Sequence, residues 1–109
     1  MNLLFICSRN QWRSPTAENI FNDQFNSAKS AGTSKSARIK VNEKLINWAD
    51  IIFVMEKKHR QRLLEKYEVL LTNKTPIVLD ISDNYQYMDE ELINALKVSV
   101  QPHLDNLQR

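Results

Sequence analysis

A chain of 109 residues, 42% hydrophobic and 26% charged, is long enough for a single domain, residues 1–109, with a modest core. A net charge of +2 and a pI of about 8.8 are too mild to argue for nucleic acid and suit an anionic substrate equally well. One cysteine excludes an internal disulfide and a multi-cysteine metal site, and one glycine excludes a Walker or Rossmann nucleotide loop. A lone cysteine also fits a reducing cytoplasm. Met1–Cys7 is too short for a signal-peptide core, and no run approaches membrane-spanning length, so a cytoplasmic protein is expected, without membrane or nucleic-acid partners.

Asn2–Cys7 has the apolar run of a buried strand. Pro15–Phe25 has helical spacing, with Ala17, Ile20, Phe21 and Phe25 on one face. Ala28–Ala31 is a short strand closed by Gly32, and Lys35–Lys40 is polar. Val41, Leu45, Ile46 and Ala49 form a second helical stripe. Ile51–Met55 is rich in β-formers and is the strongest strand. Glu56–Leu71 predicts a helix carrying Leu63, Leu64, Tyr67 and Leu71, and Pro76–Leu79 a fourth strand. Ile81–Tyr87 is a polar loop. Asp89–Leu107 is the last helix, with Leu92, Leu96, Val100, Leu104 and Leu107 inward and Pro102 expected to kink or break it near its end. Alternating strands and helices imply a parallel sheet with right-handed crossovers. Ligands of such sheets bind beyond the strands' carboxyl ends, where Cys7, Met55 and Asp80 lie.

The segment Cys7-Ser8-Arg9-Asn10-Gln11-Trp12-Arg13-Ser14-Pro15 joins the first strand to the first helix. A helix N-terminus presents free N–H groups and a positive dipole end, and a curled loop of N–H groups forms an anion nest. Arg13 adds a planar fork able to grip two phosphate oxygens. Both features favour the thiolate of Cys7. Ser14 is placed to cap the helix and to donate to that thiolate, and Pro15 fits the first helical position. A lone cysteine at a strand end is usually a packing residue; thiol, arginine, hydroxyl and proline in this context point instead to catalysis.

In these residues the chain resembles the low-molecular-weight protein tyrosine phosphatases. The resemblance begins at Leu4–Cys7 and runs through Asn10, Arg13-Ser14-Pro15 and Ala17-Glu18. It resumes at Ser30–Thr33, Ala37-Arg38, Ala49–Ile52 and Met55–His59, and ends near Asp83 and Tyr85. It implies an α/β, flavodoxin-like sheet of four parallel strands with helices on both faces, and phosphate-monoester hydrolysis without a metal or other cofactor. It implies that Cys7 is the nucleophile, that Arg13 binds the phosphoryl oxygens and that residues Ser8, Arg9, Asn10, Gln11, Trp12, Arg13 and Ser14 form the phosphate loop. Asp83 falls at the family's general acid, Tyr85 at an aromatic of the pocket, and Asn10 at a loop-shaping asparagine. The substrate expected is a phosphotyrosine protein or a small aryl phosphate.

The chain departs from the family at four places. Arg9 stands where glycine is usual, so its side chain must point outward, where its charge can steer an anion. Trp12 stands where a second cysteine is frequent, so no neighbouring thiol shields Cys7 from oxidation. Asp-Pro-Tyr becomes Asp83-Asn84-Tyr85, and the stretch from Thr33 to Arg38 is short, marking a compact variant with an altered pocket wall.

Asp80, at a strand end, is the rival acid and otherwise a loop-capping carboxylate. Trp12, Tyr85 and Tyr87 are candidates for an aromatic rim, with packing against the last helix the alternative for Tyr87. Trp48 is expected in the core. The basic run Lys57–Arg62 is expected to be a solvated face, and His59 and His103 lack metal-ligand spacing. Two other functions remain open: an arsenate reductase using an external thiol, and a non-catalytic phosphate-binding module.

Overall fold

The structure is a computed structural model and describes residues 1–107. Four strands, β1 (Asn2–Cys7), β2 (Ser27–Gly32), β3 (Ile51–Val54) and β4 (Ile77–Val78), pair in parallel in the order β2-β1-β3-β4. The helices are α1 (Arg13–Phe21), α2 (Glu43–Trp48), α3 (Lys57–Tyr67) and α4 (Glu90–Leu107). This is the flavodoxin-like α/β architecture expected from the sequence.

Strand alternation divides the core in two. Leu3, Phe5, Ile51 and Phe53 face α1 and α4, while Leu4, Ile6, Ile52 and Val54 face α2 and α3. The strands therefore read as unbroken apolar runs, because both of their faces are covered. Phe5 stacks between Phe21 and Phe53, at centroid distances of 5.5 and 5.2 Å. On α4, Leu92, Leu96, Val100 and Leu104 are buried, each burial worth about 1.5–3 kcal/mol.

The chain leaves β1 for β2 on one side and reaches β3 on the other. The strand order reverses between β1 and β3, and a crevice opens there at the strands' carboxyl ends. Cys7 ends β1, and Met55 and Glu56 follow β3, so the topology alone brings these residues together.

Several element boundaries differ from the sequence expectation. Helix α1 stops at Phe21, and Phe25 is 70% exposed rather than on the buried face. The reason is local: Asp23 Oδ1 accepts from the N–H groups of Phe25 and Asn26, and Asn22 Oδ1 accepts from Ala28 N–H, offering the backbone a turn in place of the helix. Helix α3 ends at Tyr67, and Val69–Leu71 forms a separate 3₁₀ turn. Pro102 does not break α4, which continues to Leu107. The proline removes one bond, to the carbonyl of Val98, on a solvent-facing side where water can replace it. Leu107 is 52% exposed rather than inward. Trp48 is half-buried against the α2 face. Tyr87 is 49% exposed, and its hydroxyl accepts from Asn19 Nδ2 of α1 at 3.2 Å.

Candidate active site

The loop after β1 owes its shape to the residues that hold its carbonyls. The Cys7 carbonyl accepts from Thr33 N–H, that of Ser8 from Ser34 N–H, and that of Arg9 from Arg38 N–H; the Asn10 carbonyl accepts from Arg38 Nε. In a planar trans peptide the N–H of the next residue points opposite to the carbonyl. Pinning these four oxygens outward therefore turns the N–H groups of Ser8, Arg9, Asn10 and Gln11 inward. The Asn10 N–H, 3.3 Å from Cys7 Sγ, shows the direction. The segment from Thr33 to Arg38, short as it is, thus braces the loop after β1.

Two residues permit the loop to lie so close. Asn10 takes a left-handed backbone, φ 57°, which asparagine tolerates. Gly32 packs beneath it: a Cβ there would lie 2.4 Å from the Ser8 carbonyl oxygen and 2.8 Å from Ala37 Cβ. Its role is close approach of two backbones, not an unusual φ.

Ser14 sits 2.9 Å from Cys7 Sγ. Its hydroxyl oxygen accepts from Asn10 Nδ2 at 2.8 Å, so its own proton is directed elsewhere. That proton has two acceptors in reach, the Ala31 carbonyl oxygen at 3.4 Å and Cys7 Sγ. Toward a thiolate, which carries no proton, Ser14 can only be the donor. It does not cap α1, which begins at Arg13 with Trp12 in the capping position and no side-chain cap bond. Pro15 consequently falls at the third helical position, within the first turn, still among positions whose N–H needs no helical partner. Asn10 Nδ2 also donates to Ser30 Oγ at 2.9 Å, and Ser30 in turn donates to Glu18 Oε1 at 2.6 Å. Asn10 Oδ1 is buried without a partner among the described residues, a consequence of committing the amide nitrogen to both hydroxyls.

Arg13 is buried, and its fork is fixed from behind. Nη1 donates to Glu56 Oε2 at 2.7 Å and to the Ile81 carbonyl at 2.9 Å. Those two bonds use both protons of Nη1 and leave Nε and Nη2 for two oxygens of a phosphoryl group. Burial by itself would raise the pKa of Glu56, but the hydrogen bond from Arg13 and the charges of Arg13, Lys58 and His59 outweigh it and hold the carboxyl below its ordinary value.

His59 is 1% exposed, so the basic run Lys57–Arg62 is not wholly a solvated face. Its Nδ1 accepts from Glu56 N–H at 3.1 Å, and its Nε2 lies 2.8 Å from Ser8 Oγ. Since Nδ1 accepts, the ring proton resides on Nε2 and is donated to Ser8. Burial, and then the charge of Arg13, push the His59 pKa down to about 4.

A cavity of about 350 Å³ lies over the thiol, lined by Cys7, Ser8, Arg9, Gln11, Trp12, Arg13 and Asp83. Trp12 is 43% exposed at its rim. Asp83 places Oδ1 3.8 Å from Arg13 Nε, with its side chain 69% exposed. Asp80 follows β4 with a left-handed φ of 56° and does not line this cavity. Tyr85 is half-buried against the core on the α1 and α4 side, and neither it nor Tyr87 lines the cavity. Sequence reasoning missed Glu56, His59, Ser30 and Arg38 as parts of the site. The first carried a readable signal: it follows β3, the neighbour of β1 across the switch point.

Residues 2–47 match the family model described as low molecular weight phosphotyrosine protein phosphatase. No curated protein matches the sequence. Solved structures share the fold at low identity. An arginine phosphatase from Geobacillus stearothermophilus superposes with a TM-score of 0.75 at 19% identity, over 98% of this chain and 92% of that one. A low molecular weight protein tyrosine phosphatase from T. tengcongensis gives 0.76 at 20% identity, over 97% and 99%. The tyrosine phosphatase Wzb from Escherichia coli K30, solved with phosphate, gives 0.75 at 19% identity, over 97% of each chain.

Proposed function

We propose that this chain, which has the low-molecular-weight phosphotyrosine phosphatase sequence over residues 2–47 and that fold throughout its described length, is a cysteine-dependent phosphate-monoester hydrolase acting on aryl phosphates, phosphotyrosine foremost. The observation that carries the reading is the loop itself: outward carbonyls, inward N–H groups and a fixed arginine fork, all around one sulfur.

In the first step the Cys7 thiolate attacks phosphorus in line with the leaving oxygen, forming an S–P bond as the P–O bond breaks. The loop N–H groups and Nε and Nη2 of Arg13 hold the equatorial oxygens. Asp83 gives its proton to the departing phenolate oxygen. In the second step the Asp83 carboxylate takes a proton from water as its oxygen attacks phosphorus; the S–P bond breaks and phosphate leaves. The Ser14 hydroxyl, 2.9 Å from sulfur, donates to the thiolate at the start and again as it is released. Trp12 at the rim offers a face for an aromatic leaving group. These steps draw on side chains and water and require no metal. A cytoplasmic setting accords with a catalytic thiol that has no partner cysteine in the chain.

The test is turnover of p-nitrophenyl phosphate by wild-type and Cys7→Ser protein. Expected is hydrolysis by the wild type and none by the variant. Undiminished turnover in Cys7→Ser would overturn the reading.

A further inference from the structure

The cavity over Cys7 does not end at the loop. Ser8 and Arg9 also line a second hollow, of about 180 Å³, whose walls carry Ser34, Lys58, His59 and Arg62. Pockets that enclose a whole small molecule run about 300–1,000 Å³, so this one has room for a single substituent.

Its charge is one-sided. Arg9, Lys58 and Arg62 contribute three cations, and no carboxylate lines the hollow. Among the described residues neither Arg9 nor Arg62 pairs with an acid. Lys58 lies 3.7 Å from Glu56 Oε2, an oxygen already engaged by Arg13 at 2.7 Å. The contrast with the rest of the same helix is instructive. Lys57 and Arg60 border a different hollow, where Glu65 and Glu68 stand beside them; Arg62 reaches Glu65 only across a separate hollow on its other side.

The hollow also has an aimed donor. Because His59 Nε2–H donates to Ser8 Oγ, the Ser8 hydroxyl proton is not spent on histidine. Ser8 stands on the wall common to both cavities, so its proton can reach an anion in either.

We propose that this hollow is a second anion subsite, in which Arg9, Lys58, Arg62 and the Ser8 hydroxyl hold a second negatively charged group of the substrate whose phosphoryl group lies over Cys7. The inference rests on the phosphatase reading for that first group. The second group has two sources: an acidic side chain flanking a phosphotyrosine, or an acidic substituent on a small aryl phosphate. The substitution of glycine by Arg9, seen in the sequence as a departure from the family, thereby acquires a use.

The experiment compares matched substrates that differ only in the second charge. One pair is a phosphotyrosine peptide with glutamate flanks and the same peptide with glutamine flanks. The other is carboxyphenyl phosphate and phenyl phosphate. The ratio of kcat/KM within each pair is measured for wild type, Arg62→Glu, Lys58→Glu and Arg60→Glu. Dissociation constants for the two peptides are measured in parallel on Cys7→Ser and on Cys7→Ser combined with Arg62→Glu. Expected is a preference for the charged member of at least one pair, up to about fivefold for each charge pair formed. It collapses in Arg62→Glu and Lys58→Glu, persists in Arg60→Glu, and weakens with salt. The pair that shows it identifies the source. A ratio near one in both pairs overturns the subsite, and so does equal loss in Arg60→Glu, which would signify a general field. Absence of all turnover would defeat the phosphatase reading alone, because the binding ratio on the Cys7→Ser background still decides the subsite.

Discussion

The two halves of the proposed chemistry are held in unlike ways. The loop from Cys7 to Ser14 is braced on every side: four carbonyls tied to residues 33–38, a hydroxyl and an amide locked by Asn10, Ser14 and Ser30, and an arginine fixed by Glu56 and Ile81. The segment carrying Asp83, the proposed acid, is tethered mainly at its ends. Ile81 N–H donates to the Met55 carbonyl and Met88 N–H to Thr16 Oγ1, while Asp83 between them is exposed and meets Arg13 only at 3.8 Å. The difference matches the demands of each role. Charge that develops on phosphoryl oxygens is best met by dipoles already in place. A proton donor must instead follow a leaving group whose size varies between substrates, and an exposed pair at that distance is worth little enough to release it.

The comparison is broken most severely by removing the acid. Asp83→Asn should lower kcat on phenyl phosphate, a poor leaving group, by about 10²–10⁴-fold, with thermal stability unchanged because the side chain is exposed. Asp80→Asn should leave kcat near wild type. If Asp80→Asn proves the more damaging while both proteins stay folded, the acid has been assigned to the wrong carboxylate. On the braced side, Arg13→Lys should cost about 10²–10³-fold in kcat/KM, since a single ammonium cannot bond Glu56 and Ile81 while gripping two phosphoryl oxygens. Activity of the lysine variant within tenfold of wild type would contradict the fork geometry.

What the sequence disclosed follows the same division. The strands were legible because each is short, apolar and buried on both faces, and the loop because thiol, arginine and hydroxyl crowd into eight residues. The braces were not legible, because they are contributed by residues distant in sequence. Nothing in the sequence around Arg38 announces that its Nε bonds the Asn10 carbonyl. His59 was hidden by its neighbours: amid Lys57, Lys58, Arg60 and Arg62 it is counted with a solvated face, whereas helical spacing turns it inward, on the same side as Leu63 four residues on. Ser14 shows the converse error. A serine near a helix start suggests a cap, but the helix begins one residue earlier and the hydroxyl serves the sulfur.

His59 makes the bracing dependent on pH. In the unfolded chain an imidazole with the ordinary value of 6.5 is protonated as pH falls, while the folded ring stays neutral down to about 4. Stability from this group is therefore complete above about pH 6.5, falls through the window between the two values, and is gone below about pH 4. The full difference is on the order of 3 kcal/mol. Urea denaturation from pH 7 to pH 4 should show that decline in wild type and a shallower one in His59→Gln. Parallel curves for the two proteins would mean that the histidine does not titrate in this way.

The smallest effect expected belongs to Ser30, which touches neither sulfur nor phosphate. Ser30→Ala removes the acceptor of one Asn10 Nδ2 proton and the donor to Glu18, and should cost about 1–2 kcal/mol in denaturation. Stability alone does not separate bracing from ordinary packing. If Asn10 holds the loop through Ser14 and Ser30 together, Ser30→Ala should also lower kcat by several-fold, and Ser30→Thr, which keeps the hydroxyl, should restore it. A stability loss with kcat intact would place Ser30 outside the brace. The contrast between the two halves of the site would then rest on the carbonyl ties to residues 33–38 and the fixed arginine alone.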